Sequence, residues 1–462
     1  MKRKYVILII IPVLLISAYL YLRFSVLRSK DFKPDLSKSR SIADLRPQLI
    51  AKLQQLVKDG SAGLYKLQID DINVKLSNGG ISINEIILLP DSNFLATPQE
   101  QNQKPGDIFK FKADSLIITG MGLAELLDKD KLDLTKVYIR NFMVEVYHTN
   151  GPGPAKNPAT LYEKIRKQFK KISIKEIALD QGTIIIHDIS KNKISTINDL
   201  TIRMNDLLID SSTQNDKSRF LFAKDAAITT TNYIARSSDS LYFFKFGSIR
   251  ISTAANNMIL QNIKMEPRLS KQQFEAKLSS RKIFYNVSIP EITLSGIDWW
   301  QLANGQSILA KEAVINKGIL KLYLDRSLPF AVMKQNNFPH QQLMRLPIPV
   351  HIPKTVIRHL NLEYSEYNPR IEKTGTLYLD DINGTLLNLT NIPEQIKQDP
   401  QMVLQSSGLF MHKVLLQNTF RFDLSKYNTG NFTLSLEAGR MDSAILNPLI
   451  IPVGEFMIKK GI

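Results

Sequence analysis

Six histidines, two pairs of adjacent aspartates and one tryptophan pair are the residues whose type and spacing could do chemistry in this 462-residue chain. The histidines are His148, His187, His340, His351, His359 and His412. His351 and His359 are the nearest two, and no carboxylate completes a metal-binding helix pattern around them. His148 and His187 each follow an alternating apolar run, which reads as a histidine at the end of a strand. Asp70-Asp71 and Asp380-Asp381 resemble the carboxylates of a hydrolase. Adjacent residues on a strand point to opposite faces, however, so neither pair converges. Both lie between alternating runs, where bulge or turn residues belong. Trp299-Trp300 reads either as a stacking platform or as one indole in the core and one at its rim. There is no Gly-rich phosphate loop and no G-x-S-x-G elbow. Cysteine is absent, which removes disulfides, thiolate metal sites and cysteine nucleophiles. The expectation is a protein without catalytic residues, metal or cofactor, and not an enzyme.

What remains is a repeated apolar pattern. Six times the chain spells an apolar residue, two polar or turn residues, then usually glycine: Leu76–Gly79, Ile139–Phe142, Leu179–Gly182, Ile315–Gly318, Ile357–Leu360 and Ile458–Gly461. After the first five come Ile81/Ile83, Val144/Val146, Ile184/Ile186, Leu320/Leu322 and Leu362/Tyr364, at the same two offsets. Alternation on both sides of a polar turn predicts β-hairpins with one buried face. If the strands follow one another in a meander, Val144, Val146, Ile184, Ile186, Leu320, Leu322, Leu362 and Tyr364 share one side. That side either closes as a dry core or stays open as a groove suited to acyl chains. Some 25 to 30 short strands, about 4.8 Å apart, would make a ladder on the order of 100 Å long.

The elements that must carry this face begin with an apolar stretch. Met1-Lys2-Arg3-Lys4 precedes an uncharged run from Tyr5 to Leu22, closed by Arg23. Its length is at the lower limit for a membrane span, and Tyr19 and Tyr21 read as interfacial aromatics of the anchor. A cleaved signal peptide is the competing reading. The local positive charges flank both sides, but a short tail before the anchor and a large body after it favour an external body. A net charge of +17 suits anionic partners. Beyond a bacterial inner membrane nucleic acid is out of reach, so the expected partners are membrane lipids, with envelope proteins as the alternative.

Four regions follow: 1–23 as anchor, 24–63 as linker and helix, 64–290 as a first β-repeat region and 291–462 as a second. A helix is predicted from Ser41 to about Lys58, with Pro47 inside it, and another over Ala159–Lys171 after the Gly/Pro-rich break Gly151–Pro158. A short helix is predicted over Leu123–Leu127. The pair of motifs around Arg140 and Asp180 recurs around Asn316 and Arg358, displaced by 176 and 178 positions. With Gly120 matching Gly296 and Ile139 matching Ile315, this predicts an internal duplication.

An anchor followed by repeated Ile-x-x-Gly-x-Ile-x-Ile segments resembles the AsmA-like envelope proteins of Gram-negative bacteria. The stretch from Lys175 to Asp188, KEIALDQGTIIIHD, and the segment Gly439–Leu449, GRMDSAILNPL, carry the resemblance. It implies a mainly β fold: an N-terminal transmembrane helix, then an elongated, curved antiparallel β-sheet, groove-like or taco-like, with a few short helices. It also implies a single-pass inner-membrane protein with its body in the periplasm, engaged in phospholipid transport to the outer membrane or in its maintenance. A structural scaffold that binds proteins is the alternative. The family would continue with further strands after Val453–Phe456, so Ile458–Ile462 reads as a half-made hairpin of an incomplete chain.

Overall fold

The computed structural model describes residues 46–61, 63–75, 80–91, 107–120, 131–148, 170–188, 193–214, 216, 218–237, 239–303, 307–329 and 338–461. The anchor with Tyr19 and Tyr21, the linker, the helix expected at Leu123–Leu127, the break at Gly151–Pro158 and the next helix as far as Phe169 lie outside them. Among the described residues no helix is long and apolar enough to cross a membrane.

The protein is mainly β, with seventeen strands and a few short helices among the described residues. The chain divides into two compact units, with the change near Asn232 and Asn256. The N-terminal unit opens with a helix, Arg46–Gly60. Pro47 falls in its first turn, where a missing N–H breaks no helical bond. Leu53 enters the core, with Ile50 and Val57 packed beside it on the same stripe. Six strands follow: β1 (Tyr65–Lys75), β2 (Gly80–Pro90), β3 (Asp107–Thr119), β4 (Lys131–His148), β5 (Lys171–Asp188) and β6 (Lys193–Ile209). Each pairs with the next. β7 (Asp225–Arg236) pairs with β6, and its residues to Asn232 belong to this unit, whereas Tyr242–Ile249 of β8 (Tyr242–Ser252) belong to the C-terminal unit.

The C-terminal unit repeats this order. It holds β9 (Asn257–Pro267), β10 (Phe284–Ser295), the two-residue β11 (Ile308–Leu309), β12 (Glu312–Asp325), β13 (Val350–Asn368) and β14 (Lys373–Thr390). β15 (Gln401–Phe410), β16 (Val414–Asp423) and β17 (Phe432–Ala438) extend it.

Two expectations need correction. The sheet is mixed rather than antiparallel, because β4 and β5 are parallel, as are β12 and β13. More importantly, four of the six motifs are not hairpin turns. They lie in the middle of β4, β5, β12 and β13, strands of 14 to 19 residues. The first motif, Leu76–Gly79, lies outside the described residues; the antiparallel strands β1 and β2 flank it, with Lys75 opposite Gly80. The last, Ile458–Gly461, is not a strand; Asn447 bonds both the N–H and the carbonyl of Ile458 at 2.9 Å.

The physical reason lies in strand periodicity. On β4 the buried side chains are Leu132 and Leu134, Val137 and Ile139, then Phe142, Val144 and Val146. The three-residue step from Ile139 to Phe142 would turn the second half of the strand inside out. Asn141 absorbs it by entering the left-handed region at φ 49°. Pairing with β3 and β5 stays in register through it, so it turns the strand without an extra residue and keeps both halves on one face. Gln181 on β5 also keeps both halves on one face, at φ 55°. Polar residues, then glycine, at such a place mimic a turn in sequence because both need positive φ.

These left-handed residues stand side by side across the strands. In the N-terminal unit the row runs through Glu85, Asp114, Asn141 and Gln181, and Glu85, Asn141 and Gln181 have positive φ. In the C-terminal unit it runs through Asn262, Pro290, Lys317 and His359 to Asp381, all left-handed but the proline. Each unit therefore carries a crease across its strands. Glu85 corresponds to Asn262, Asn141 to Lys317, Gln181 to His359 and Asp199 to Asp381, with displacements of 177, 176, 178 and 182 positions. The parallel pair falls at the same place in both, so the duplication is written in the backbone as well as in the sequence.

Candidate functional site

The eight apolar residues singled out by the repeat are brought together in parallel-strand pairs. Val144 stands beside Ile184 and Val146 beside Ile186. Leu320 stands beside Leu362 and Leu322 beside Tyr364. The two sets then part company. Val144, Val146, Ile184 and Ile186 are 1%, 0%, 4% and 6% exposed, within the large core of the N-terminal unit. Leu320, Leu322, Leu362 and Tyr364 are only half-buried and belong to none of the buried clusters.

Around this second set the register extends one apolar face over five strands. Ile263 lies opposite Ile289, Val287 opposite Leu320, Ile292 opposite Ile315, Leu360 opposite Ile382 and Leu362 opposite Leu379. All are half-buried. At about 4.8 Å per strand this floor is roughly 20–25 Å across. Beyond β14 it is interrupted, since Ser406 donates to Asn418 at 2.8 Å on the same face.

Packing closes the floor at both ends of the strands. At one end Trp299 of the helix Trp299–Ala303 packs on Ile297, Ala313, Val350 and Ile352. Beside it, Leu343 of the helix Pro339–Met344 and Ile396 of the helix Pro393–Gln398 pack on Met402, Phe422 and Leu424. At the other end the helix Asn447–Gly454 lies so close over Gly375 that a Cβ there would sit 2.7 Å from the carbonyl of Leu449. Arg326 donates to the carbonyl of Val453 at 2.8 Å and Asn368 to that of Pro452 at 3.0 Å, which holds this helix in place. Phe274 and Tyr242 fill the corner beside Tyr285.

Polar groups are few on the floor. The Tyr364 hydroxyl donates to Glu366 at 2.9 Å, and burial together with that carboxylate pushes its pKa up. Burial also raises Tyr285. The apolar floor can take apolar chain, at about 0.8 kcal/mol for each CH2 removed from water.

The residues first considered for chemistry sit elsewhere. Asp380 and Asp381 diverge as adjacent strand residues should: Asp380 meets His412 and Asp381 meets His359, each at 2.6 Å. His148 and His187 end β4 and lie near the end of β5, and the His187 ring stacks on Tyr147 at 4.4 Å. Trp299 packs against a buried cluster, and both Trp299 and Trp300 are half-buried. No group of three metal-ligating side chains occurs among the described residues. The repeat missed Ile289, Ile292, Leu379 and Ile382. Plain alternation in Phe284–Ser295 and Lys373–Thr390 was the signal for most of them. No family model matches the chain, and no curated protein matches it.

Proposed function

We propose that this protein binds the acyl chains of phospholipid on the apolar floor of its C-terminal unit. In this reading it is an inner-membrane-anchored periplasmic protein of the AsmA-like kind, serving phospholipid transport to the outer membrane or the maintenance of that membrane. The observation that carries the reading is the contrast between the two copies. Positions that are dry core in the first, such as Val144 and Ile184, correspond to the half-buried Leu320 and Leu362 in the second. A sheet face that is apolar, bounded at both ends and left partly open marks an interaction surface. Its span of roughly 20–25 Å accommodates a chain filling one leaflet, about half of a hydrocarbon core of roughly 30 Å. The uncharged stretch from Tyr5 to Leu22 and the net charge of +17 agree with work at a lipid surface. The test is mass spectrometry of the full chain purified in mild detergent. Co-purifying phospholipid at near-stoichiometric level is the expected result, and its consistent absence counts against the reading.

A second reading, an envelope scaffold, is favoured by β17. Every residue of Phe432–Ala438 is exposed, and among the described residues the strand pairs only with β16. Such an edge can accept another chain by strand addition. Crosslinking in the native membrane separates the two: a conduit traps lipid at the floor, whereas a scaffold traps protein at β17.

A further inference from the structure

On the face opposite the floor, the crease of the C-terminal unit opens into a cavity of about 440 Å³. Ser288, Pro290, Lys317, Ile319, His359 and Asn361 line it. Lys317 and His359 are neighbours across the parallel pair, since the contacts Asn316–Arg358 and Gly318–Leu360 bracket them. Both are exposed, and both hold left-handed backbone, at φ 60° and 52°.

The corresponding place in the N-terminal unit is neutral and internally satisfied. There Asn141 donates to Asp114 at 2.5 Å, Arg140 donates to Gln181 at 3.2 Å, and Asp180 pairs with Arg203 at 2.7 Å. In the second copy Asn141 is replaced by Lys317, Gln181 by His359 and Asp180 by Arg358. Neither Lys317 nor Arg358 has a carboxylate within ion-pair distance among the described residues. The nearby carboxylates are already engaged: Asp381 accepts from His359 Nδ1 at 2.6 Å, and Glu291 accepts from Gln261 at 3.0 Å. Asp381 thereby fixes the imidazole and leaves Nε2 free. Asn361 Oδ1 accepts the N–H of Asp381 at 2.9 Å, leaving its amide NH2 as a donor. Lysine is a poorer choice than asparagine for left-handed backbone. The second copy therefore keeps a costlier residue, Lys317, where the first uses Asn141.

We propose that this cavity is a site for a phosphate group. Lys317 supplies the main charge and Asn361 a directional donor, while His359, whose Nδ1–H is held by Asp381, offers Nε2 as acceptor for a P–OH. Ile319, 45% exposed, and Pro290 form an apolar wall for the rest of a phosphate ester. The ammonium matches phosphate oxygens through charge-assisted hydrogen bonds. The site lies on the other face from the acyl floor and does not depend on it.

The test uses the full chain in detergent, titrated calorimetrically at constant ionic strength with inorganic phosphate and, separately, with dihexanoyl phosphatidic acid. Lys317→Asn installs the residue of the first copy, which suits the backbone better, so loss of folding does not confuse the result. Saturable binding that Lys317→Asn weakens about tenfold or more, and His359→Gln weakens further, supports the site. Equal binding of both ligands identifies free phosphate as sufficient, whereas binding of the phosphatidic acid alone identifies a lipid headgroup. Binding that is absent, or unchanged by Lys317→Asn, overturns the proposal.

Discussion

The ring of Phe142 occupies the space above Gly182 on the neighbouring parallel strand, where a Cβ would lie 2.1 Å from the ring carbon Cζ. Phe142 is 3% exposed, so the ring has little room to move aside. The glycine of the third motif is thus required by a neighbour rather than by a turn. Gly182→Ala is expected to destabilise the protein by about 1–3 kcal/mol through overpacking. Chemical denaturation measures this, and Phe142→Leu in the same background should restore part of the loss. An alanine variant as stable as the wild type would contradict the packing.

The bulge at Gln181 gives a second prediction. Its φ of 55° suits glycine and asparagine better than glutamine. Gln181→Asn should leave stability unchanged or raise it by a few tenths of a kcal/mol, whereas Gln181→Val should cost more than about 1 kcal/mol. In a hairpin-tip arrangement on the surface, the two would differ much less. Thermal melts of the two variants decide between these outcomes.

Truncation of the two apolar sets should be unequal. Ile184→Ala removes a buried side chain and is expected to cost about 2–5 kcal/mol. Leu362→Ala, on the half-buried floor, should cost less than half as much. Equal losses in urea titration would show the floor to be an ordinary core.

Acid should loosen the end of the floor closed by the helix Pro339–Met344. His340 is fully buried, its ring lies 4.9 Å from that of Phe422, and neither ring nitrogen has a hydrogen-bond partner. Burial pushes its pKa below the ordinary histidine value, and the same holds for His351. The unfolded chain then binds a proton at higher pH than the fold does. Stability is retained above the unfolded pKa of about 6.5 and is lost as pH falls from there toward the folded value. His340→Phe should make the melting temperature less dependent on pH below about 6.5. An unchanged slope would remove His340 from the account.

Much of this was legible in the sequence, and the misreading has a physical cause. Alternation identified the strands, and the displacement of 176 to 178 positions identified the duplication. In-strand left-handed residues and hairpin turns share their residue chemistry, because polar residues and glycine serve positive φ in both. At Ile139–Phe142 and Ile357–Leu360 the motif therefore looked like a turn inside what is one long strand. The apolar offsets marked the right face in both copies, since Val144 and Leu320 occupy equivalent positions. They carried no information about burial, because that depends on what covers the face. Leu53 of the helix Arg46–Gly60 joins the N-terminal core, while the C-terminal unit places its short helices only at the ends of its strands.

The most direct test of the acyl floor is photocrosslinking in the native membrane, with a photoreactive residue at Leu362 or, for comparison, at Ile184 of the full chain. The account predicts phospholipid adducts at Leu362 and none at Ile184. No lipid adduct at Leu362, or equal adducts at both positions, would contradict it.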